Sequence, residues 1–385
     1  MKTPRTVDIA ITARCNLRCA YCSHFSAPGD TEDLETEEWL RFFRELNRCA
    51  VMDVILQGGE PFFRKDLRRL LEGIVENRMR FSILTNGTLV RSDLARFIAG
   101  TGRCNGVQVS LDGSLAETHD SFRGKGAFHD ALRGIEIFKA AGVPATVRVT
   151  VHKKNVDQLE SIAALLLDEI GLSGFSTNAA GFMGLCRSNS EHVQLSANDR
   201  TLAMKTLTML EERYGGRITA SAGPLAEAKI WTRMVVGSSL DHTEETSGGF
   251  LSACSGPFDT IGVRSDGVMV PCIQLGHIEL GRINRDDLQS VWLDHPQLHR
   301  LRRRRLIPLS SFEFCSGCRF IDHCTGNCPA LAFTLTGKEN HPSPDACLKR
   351  FLEEGGILPN QRSEVRGQKL DEPRTRNPQR ATRNP

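Results

Sequence analysis

Cys15-Asn16-Leu17-Arg18-Cys19-Ala20-Tyr21-Cys22 is the stretch on which the reading of this chain turns. Three residues separate the first two cysteines and two separate the last pair, and the apolar, β-branched run 7–12 leads straight into them. Thiolate sulfur is a soft ligand that suits iron–sulfur clusters and zinc. Structural zinc and ordinary 4Fe–4S sites both take four protein ligands. This loop offers three, and the next cysteine, Cys49, lies at the far end of a helical stretch. A cluster held by three cysteines keeps one iron open. A thioredoxin-like pair or half of a zinc site is the plainer alternative.

The 385 residues are enough for one large domain and a smaller one with an ample core. Hydrophobic residues make up 40% and charged residues 25%, ordinary values for a globular protein. No run approaches the roughly 18 apolar residues of a membrane span, and residues 1–14 lack a signal-peptide pattern. Thirteen cysteines without an export signal, and clustered, favour metal ligation over disulfides. A cytoplasmic protein with reduced thiols is the expectation. The net charge of +3 is uneven: residues 359–385 hold seven Lys or Arg against three Asp or Glu, leaving the rest close to neutral. That tail is poor in apolar residues and predicts disorder rather than a nucleic-acid-binding arm. A second basic run, 299–305 with five arginines, is expected to face solvent.

From 7 to about 180, β-like runs (7–12, 51–57, 81–85, 106–111, 145–151 and 175–178) alternate with helical stretches (37–49, 65–77, 92–100, 127–141 and 156–170). Alternation predicts a parallel sheet with right-handed crossovers. Six units are too few for the closed eight-unit barrel, and pattern alone does not separate a partial barrel from an open doubly wound sheet. Either way, chemistry collects at the carboxyl ends of the strands. The second run ends in Gly58-Gly59-Glu60-Pro61, the third in Thr85-Asn86-Gly87-Thr88, the fourth in Ser110-Leu111-Asp112-Gly113 and the sixth near Asn178. Each also reads as plain turn material; four polar strand ends in one register read as a site. Residues 197–214 and 224–236 predict helices, and 237–249 a polar loop, together a bridge to a second domain.

That second domain has its own cysteines. Cys254 is followed after twelve residues by Gly267 and, after four more, by Cys272; then come Cys315, Cys318, Cys324, Cys328 and Cys347. A zinc-ribbon pair is the plain alternative. Cys49, Cys104 and Cys186 are spare, and the first two suit small buried hydrophobes.

The first loop, with Tyr21 before its third cysteine, resembles that of the radical S-adenosylmethionine (radical SAM) enzymes. The seven later cysteines, with the segment Gly281-Arg282-Ile283 and Leu288 through Trp292, resemble the SPASM extension of radical SAM peptide and protein maturases; the likeness covers about residues 7–350. It implies an α/β fold: a partial (β/α)6 TIM-type barrel (1–195), a helical bridge and loop (196–250), a cysteine-rich SPASM domain (251–358) and a disordered basic tail (359–385). It implies that Cys15, Cys19 and Cys22 hold a 4Fe–4S cluster whose open iron chelates the methionine amino and carboxylate groups, yielding a 5′-deoxyadenosyl radical. It places Tyr21, Gly58, Gly59, Glu60, Pro61, Thr85, Asn86, Ser110, Asp112, Arg123 and Asn178 around S-adenosylmethionine, with Glu60 toward its amine and Arg123 toward its carboxylate. By the family's ligation, Cys315, Cys318, Cys324 and Cys347 hold a distal auxiliary cluster, and Cys254, Cys272 and Cys328 a nearer one. That makes three clusters, with one corner of the nearer one open or held by Cys186.

The activity implied is modification of a ribosomally made precursor peptide by hydrogen abstraction, giving a crosslink, oxidation or epimerisation. The opening Lys2-Thr3-Pro4-Arg5 and the stretch 37–60 resemble maturases of SynChlorMet cassettes. Implied partners are a flavodoxin or ferredoxin-type electron donor and a separate leader-peptide-binding protein, because the first strand begins near Val7. Sulfatase-like protein maturation is the nearest alternative, but Ile273 follows Cys272 where those enzymes carry aspartate. A small-molecule substrate, and a zinc-stabilised nucleic-acid-binding protein, are the others.

Overall fold

The computed structural model describes residues 2–23, 32–239 and 248–359. The tail from 360 onward and residues 240–247 of the polar loop lie outside the described residues.

All six expected strands form: β1 (Thr6–Thr12), β2 (Asp53–Gly58), β3 (Arg80–Thr85), β4 (Cys104–Ser110), β5 (Ala145–Val151) and β6 (Phe175–Ala179). They pair in sequence order and in parallel. Between them run α1 (Thr36–Arg48), α2 (Leu67–Glu76), α3 (Ser92–Gly100), α4 (Ala116–Arg123), α5 (Ala127–Ala140) and α6 (Leu159–Ala164). Side chains alternate across each strand. Val7, Ile9 and Ile11, Val54 and Leu56, Phe81 and Ile83, Val107 and Val109, and Val147 to Val151 at every second position are buried. They share one core with Trp39, Phe42, Phe43 and Leu46 of α1, Leu70 and Ile74 of α2, and Ile135 and Phe138 of α5. Burying each such side chain is worth about 1.5–3 kcal/mol. The opposite, inner face carries Asp8, Gln57, Gln108, Ser110, Arg148 and Asn178.

Several boundaries differ from the sequence reading. The stretch 156–170 is not one helix: a 3-10 turn (Val156–Gln158) leads into α6, which widens into a π-type turn (Leu165–Glu169). The wider turn lets both Leu166 and Leu167 be buried. Helix α4, which the strand–helix alternation does not predict, ends on Arg123. After β6 come α7 (Leu185–Ser188), α8 (Ser190–Val193), α9 (Ala197–Arg213), β7 (Ile218–Ala220) and α10 (Pro224–Ser239). The stretch read as a bridge therefore adds a seventh parallel strand beside β6; three residues are too few for periodicity to reveal.

The cysteine-rich region joins the same sheet. After α11 (Gly256–Asp259), β8 (Thr260–Val263) pairs in parallel with β1, from Thr6↔Thr260 to Ile9↔Val263. Strands β9 (Val268–Val270) and β10 (Gly281–Arg282) follow antiparallel, giving the order β10-β9-β8-β1-β2-β3-β4-β5-β6-β7. Helices α12 (Leu288–Asp294), α13 (Pro296–Arg303), α14 (Pro329–Thr336) and α15 (Leu348–Glu353) complete the region. A second core joins Met204, Trp231 and Met234 of α9 and α10 to Phe320, Leu348 and Phe351.

The run 299–305 does not simply face solvent. Arg304 is buried, and its guanidinium donates to the carbonyls of Glu339, Leu251, Ala253, Asn327 and His341 at 2.9–3.4 Å. Arg302 donates to the carbonyls of Pro257 and Trp292.

Candidate active site

The first cysteine loop leaves the carboxyl end of β1 and is clamped from both sides. Gly59 donates its backbone N–H to Thr12 O (2.8 Å) and Glu60 to Arg14 O (2.9 Å). A Cβ on Gly58 would stand 2.3 Å from Thr12 O, and one on Gly59 2.1 Å from Arg14 O. The two glycines are thus required by the loop's own backbone, with Gly58 also at φ +134°. On the other side Asp33 accepts from Thr12 Oγ1 (2.6 Å) and Ala13 N (2.7 Å). Farther along, Ala20 N donates to Phe122 O, Leu185 N to Cys22 O, and Asn189 Nδ2 to Ala20 O.

Cys15, Cys19 and Cys22 share this rim. Burial chiefly, with the nearby charges of Glu60, Cys19 and Cys22 adding to it, pushes the Cys15 thiol up to about 12. Thiols so close can all be thiolates only against a cation, which is what iron supplies. The donor set therefore fits a cluster. Asn86 Nδ2 bonds Asn16 Oδ1 (3.0 Å) and stands 3.9 Å from Cys15 Sγ; Arg123 Nη1 stands 3.9 Å from Cys19 Sγ.

The strand-end residues gather around the same rim, in more specific roles than turn chemistry required. Glu60 is buried and accepts from Thr85 Oγ1 (2.6 Å), Asn86 N (2.7 Å) and Phe62 N (3.1 Å), tying β2 to β3. Burial chiefly, offset by those bonds, moves its carboxyl up to about 7. Three of about four lone-pair positions are used, so one remains for a ligand donor. Pro61 opens the short turn that carries Phe62. Asp112 is wholly buried; its Oδ2 accepts from Arg123 Nε (2.5 Å) and the Tyr21 hydroxyl, and its Oδ1 from Thr150 N (2.8 Å). Burial would raise this carboxyl, but Arg123 prevails and holds it down, at about 2. Arg123 also lies over the Tyr21 ring at 5.4 Å. Ser110 has no side-chain hydrogen bond, and Asn178 Oδ1 is buried without a partner. Both suit a polar ligand at the ends of β4 and β6.

The later cysteines fall into two groups. Burial first, then Cys328, raises the Cys254 thiol; burial first, then Cys328 and Cys254, pushes the Cys272 thiol up to about 11. Cys315 is likewise pushed up to about 12, by burial first and then by Cys324, Cys347 and Cys318. Buried Arg304 has both Cys254 and Cys328 as charge neighbours. Among the described residues no three His, Cys, Asp or Glu side chains converge on a single metal ion. A four-iron cluster puts each thiolate on a separate iron and spaces them wider. Cys186 is buried with Phe122 and Val193 against Ala20 and Tyr21, and no other cysteine is among the groups that shift its thiol, which burial pushes up to about 11. Cys49 and Cys104 pack at the edge of the main core.

Sequence reasoning passed over the inner face. Asp8 and Gln57 bond across β1 and β2, and Arg148 Nε donates to Gln108 Oε1 (2.6 Å) across β5 and β4. Burial chiefly, offset by Gln57, moves the Asp8 carboxyl up to about 6. A charge at an alternating position inside a β-branched strand was the available signal.

The radical SAM superfamily matches residues 9–166, and the SPASM iron–sulfur cluster-binding domain matches residues 254–319.

The chain is a radical SAM enzyme with a SPASM domain.

Its cofactors are S-adenosylmethionine and iron–sulfur clusters. Among similar proteins, AdoMet-dependent heme synthase of Methanosarcina barkeri is 27% identical over 353 residues, covering 90% of this chain and 97% of that protein. Mycofactocin maturase MftC of Mycolicibacterium smegmatis is 36% identical over 166 residues, covering 43% of this chain and 42% of that protein. Streptococcus suis SuiB, solved bound to precursor peptide SuiA, shares the fold with a TM-score of 0.69 at 17% identity, covering 90% of this chain and 76% of that one. This radical SAM chain has, among its described residues, no helix long and apolar enough to cross a membrane.

Proposed function

We propose that this radical SAM enzyme modifies a ribosomally made precursor peptide by hydrogen abstraction at the carboxyl end of the barrel. The observation that carries the reading is the three-cysteine loop at the carboxyl end of β1, next to a polar inner face, together with two further thiol groups in the region whose strand β8 joins the same sheet. Similarity to mycofactocin maturase, and to PqqA peptide cyclase of Ruegeria pomeroyi (25% identical, covering 85% of this chain), supports a peptide.

When bound, the cluster and S-adenosylmethionine supply a 5′-deoxyadenosyl radical. The chain's own part is to bind and orient. Cys15, Cys19 and Cys22 would hold the catalytic cluster, on a loop braced by Gly58, Gly59 and Asp33. Glu60, with its remaining lone pair, and Ser110 and Asn178, with their unengaged polar atoms, would receive the cofactor's polar groups. Arg123 would act largely through Asp112 and Tyr21, since its Nε is committed to that carboxylate. Cys315, Cys318, Cys324 and Cys347 would hold one auxiliary cluster and Cys254, Cys272 and Cys328 a second, for three in all. A flavodoxin or ferredoxin-type donor would supply the electron, and a separate leader-binding protein would present the peptide.

The test is incubation of the anaerobically reconstituted enzyme with S-adenosylmethionine, a reductant and the short peptide encoded beside it. Expected are 5′-deoxyadenosine and a mass change in the peptide, both abolished when Cys15, Cys19 and Cys22 are all replaced by alanine, while auxiliary-cluster iron stays. A second reading, a tetrapyrrole substrate, is favoured by the near full-length similarity to the heme synthase and to Fe-coproporphyrin III synthase of the same organism. Turnover of iron-coproporphyrin III without any peptide product would select it.

A further inference from the structure

The inner face holds a charged group that neither the cofactor contacts nor the cysteines account for. Arg148 stands in register with Ser110 of β4 and Ser176 of β6, facing away from the helices that bury Val147 and Val149. Its Nε donates to Gln108, while its two terminal amino groups make no hydrogen bond. Among the described residues, no carboxylate lies within ion-pair distance of it. Asp8, on the same face, is engaged with Gln57 instead.

A half-buried guanidinium without a counter-charge is costly, because desolvation disfavours the charged form. Burial alone lowers the pKa of Arg148, with no anion opposing it. The free edge of the group, two parallel N–H donors, matches a carboxylate in a bidentate pair. Gln108 meanwhile holds the guanidinium from the side, fixing its plane.

We propose that Arg148 is the receptor for a carboxylate of the substrate, borne by an acidic peptide side chain or by a tetrapyrrole propionate. The proposal rests on the reading of the inner face as the substrate site and narrows what enters it. It assigns the substrate an anionic group at the level of Ser110.

The test uses the full-length, anaerobically reconstituted enzyme loaded with S-adenosylmethionine. Two probe pairs are titrated by fluorescence or absorbance: a capped decapeptide with one central glutamate against its glutamine twin, and iron-coproporphyrin III against its tetramethyl ester. The same pairs are titrated into Arg148→Gln, checked for unchanged iron content. Expected is at least tenfold tighter binding of the acid member of one pair by the parent protein, falling to near parity in the variant. A merely structural arginine would weaken both members alike. Absence of acid preference in the parent, its survival in Arg148→Gln, or a tenfold loss of S-adenosylmethionine affinity in the variant overturns the proposal; the last would give Arg148 to the cofactor's carboxylate. Peptide modification without acid preference would sink this inference and leave the peptide reading standing. Arg148-dependent preference confined to the porphyrin pair would do the reverse.

Discussion

Arg123 Nε and Asp112 Oδ2 form a buried ion pair at 2.5 Å, and the hydroxyl of Tyr21, from within the cluster loop, closes on the same oxygen. The pair links α4, the end of β4 and the loop that carries Cys15, Cys19 and Cys22. Breaking a buried pair by removing one charge leaves the other unpaired and costs about 3–5 kcal/mol. Asp112→Asn is expected to lower the melting temperature of the reconstituted enzyme and to reduce 5′-deoxyadenosine formation. An unchanged melting curve would show that the pair does not hold the loop.

Gly59 has no room for a side chain. In Gly59→Ala the new methyl would meet Arg14 O at 2.1 Å, and such overpacking costs roughly 1–3 kcal/mol. The loop must shift, so iron is expected to fall by the equivalent of one cluster while the auxiliary clusters stay. Iron and sulfide analysis together with electron resonance measures both.

Cys186 offers the opposite case. Its thiol is buried among Phe122, Val193, Ala20 and Tyr21 and is not grouped with Cys254, Cys272 and Cys328. Cys186→Ser should retain the full iron content and lose only a little stability, about 1–3 kcal/mol for a hydroxyl buried without a partner. Loss of an auxiliary-cluster signal would refute this placement.

Glu227 makes stability depend on pH. Burial chiefly raises its carboxyl from about 4.5 to about 7; Asp345 adds to the rise, and Arg200, 3.5 Å from Oε2, opposes it without cancelling it. Over that window the folded chain holds the proton more tightly than the unfolded chain. The contribution of Glu227 to stability therefore falls as pH rises from about 4.5 to 7 and is level above that. Melting temperatures at pH 6 to 8 should decline less in Glu227→Gln than in the parent protein.

The local chemistry was legible in the sequence. Cysteine spacing put Cys15, Cys19 and Cys22 on one loop, but it could not separate Cys328 from the nearby Cys324, which lie in different thiol groups. Alternating β-branched runs such as 7–12 and 145–151 declared strands with one buried face, and polar strand ends marked the rim. What the sequence could not settle was everything decided between distant segments. Gly58 and Gly59 read as turn residues until the backbone of Thr12 and Arg14 closed on them. Glu60 read as a ligand group before Thr85 and Asn86 were seen to occupy most of it. That Cys186 packs with Phe122, Val193 and Tyr21 came from the tertiary structure alone. Strand β7 was too short to show a period, and β8 joined β1 across some 250 residues of chain. Asp8 and Arg148 acquired meaning only from the inner face they share. Proximity of this kind comes from the packing of a whole sheet, and no local pattern carries it.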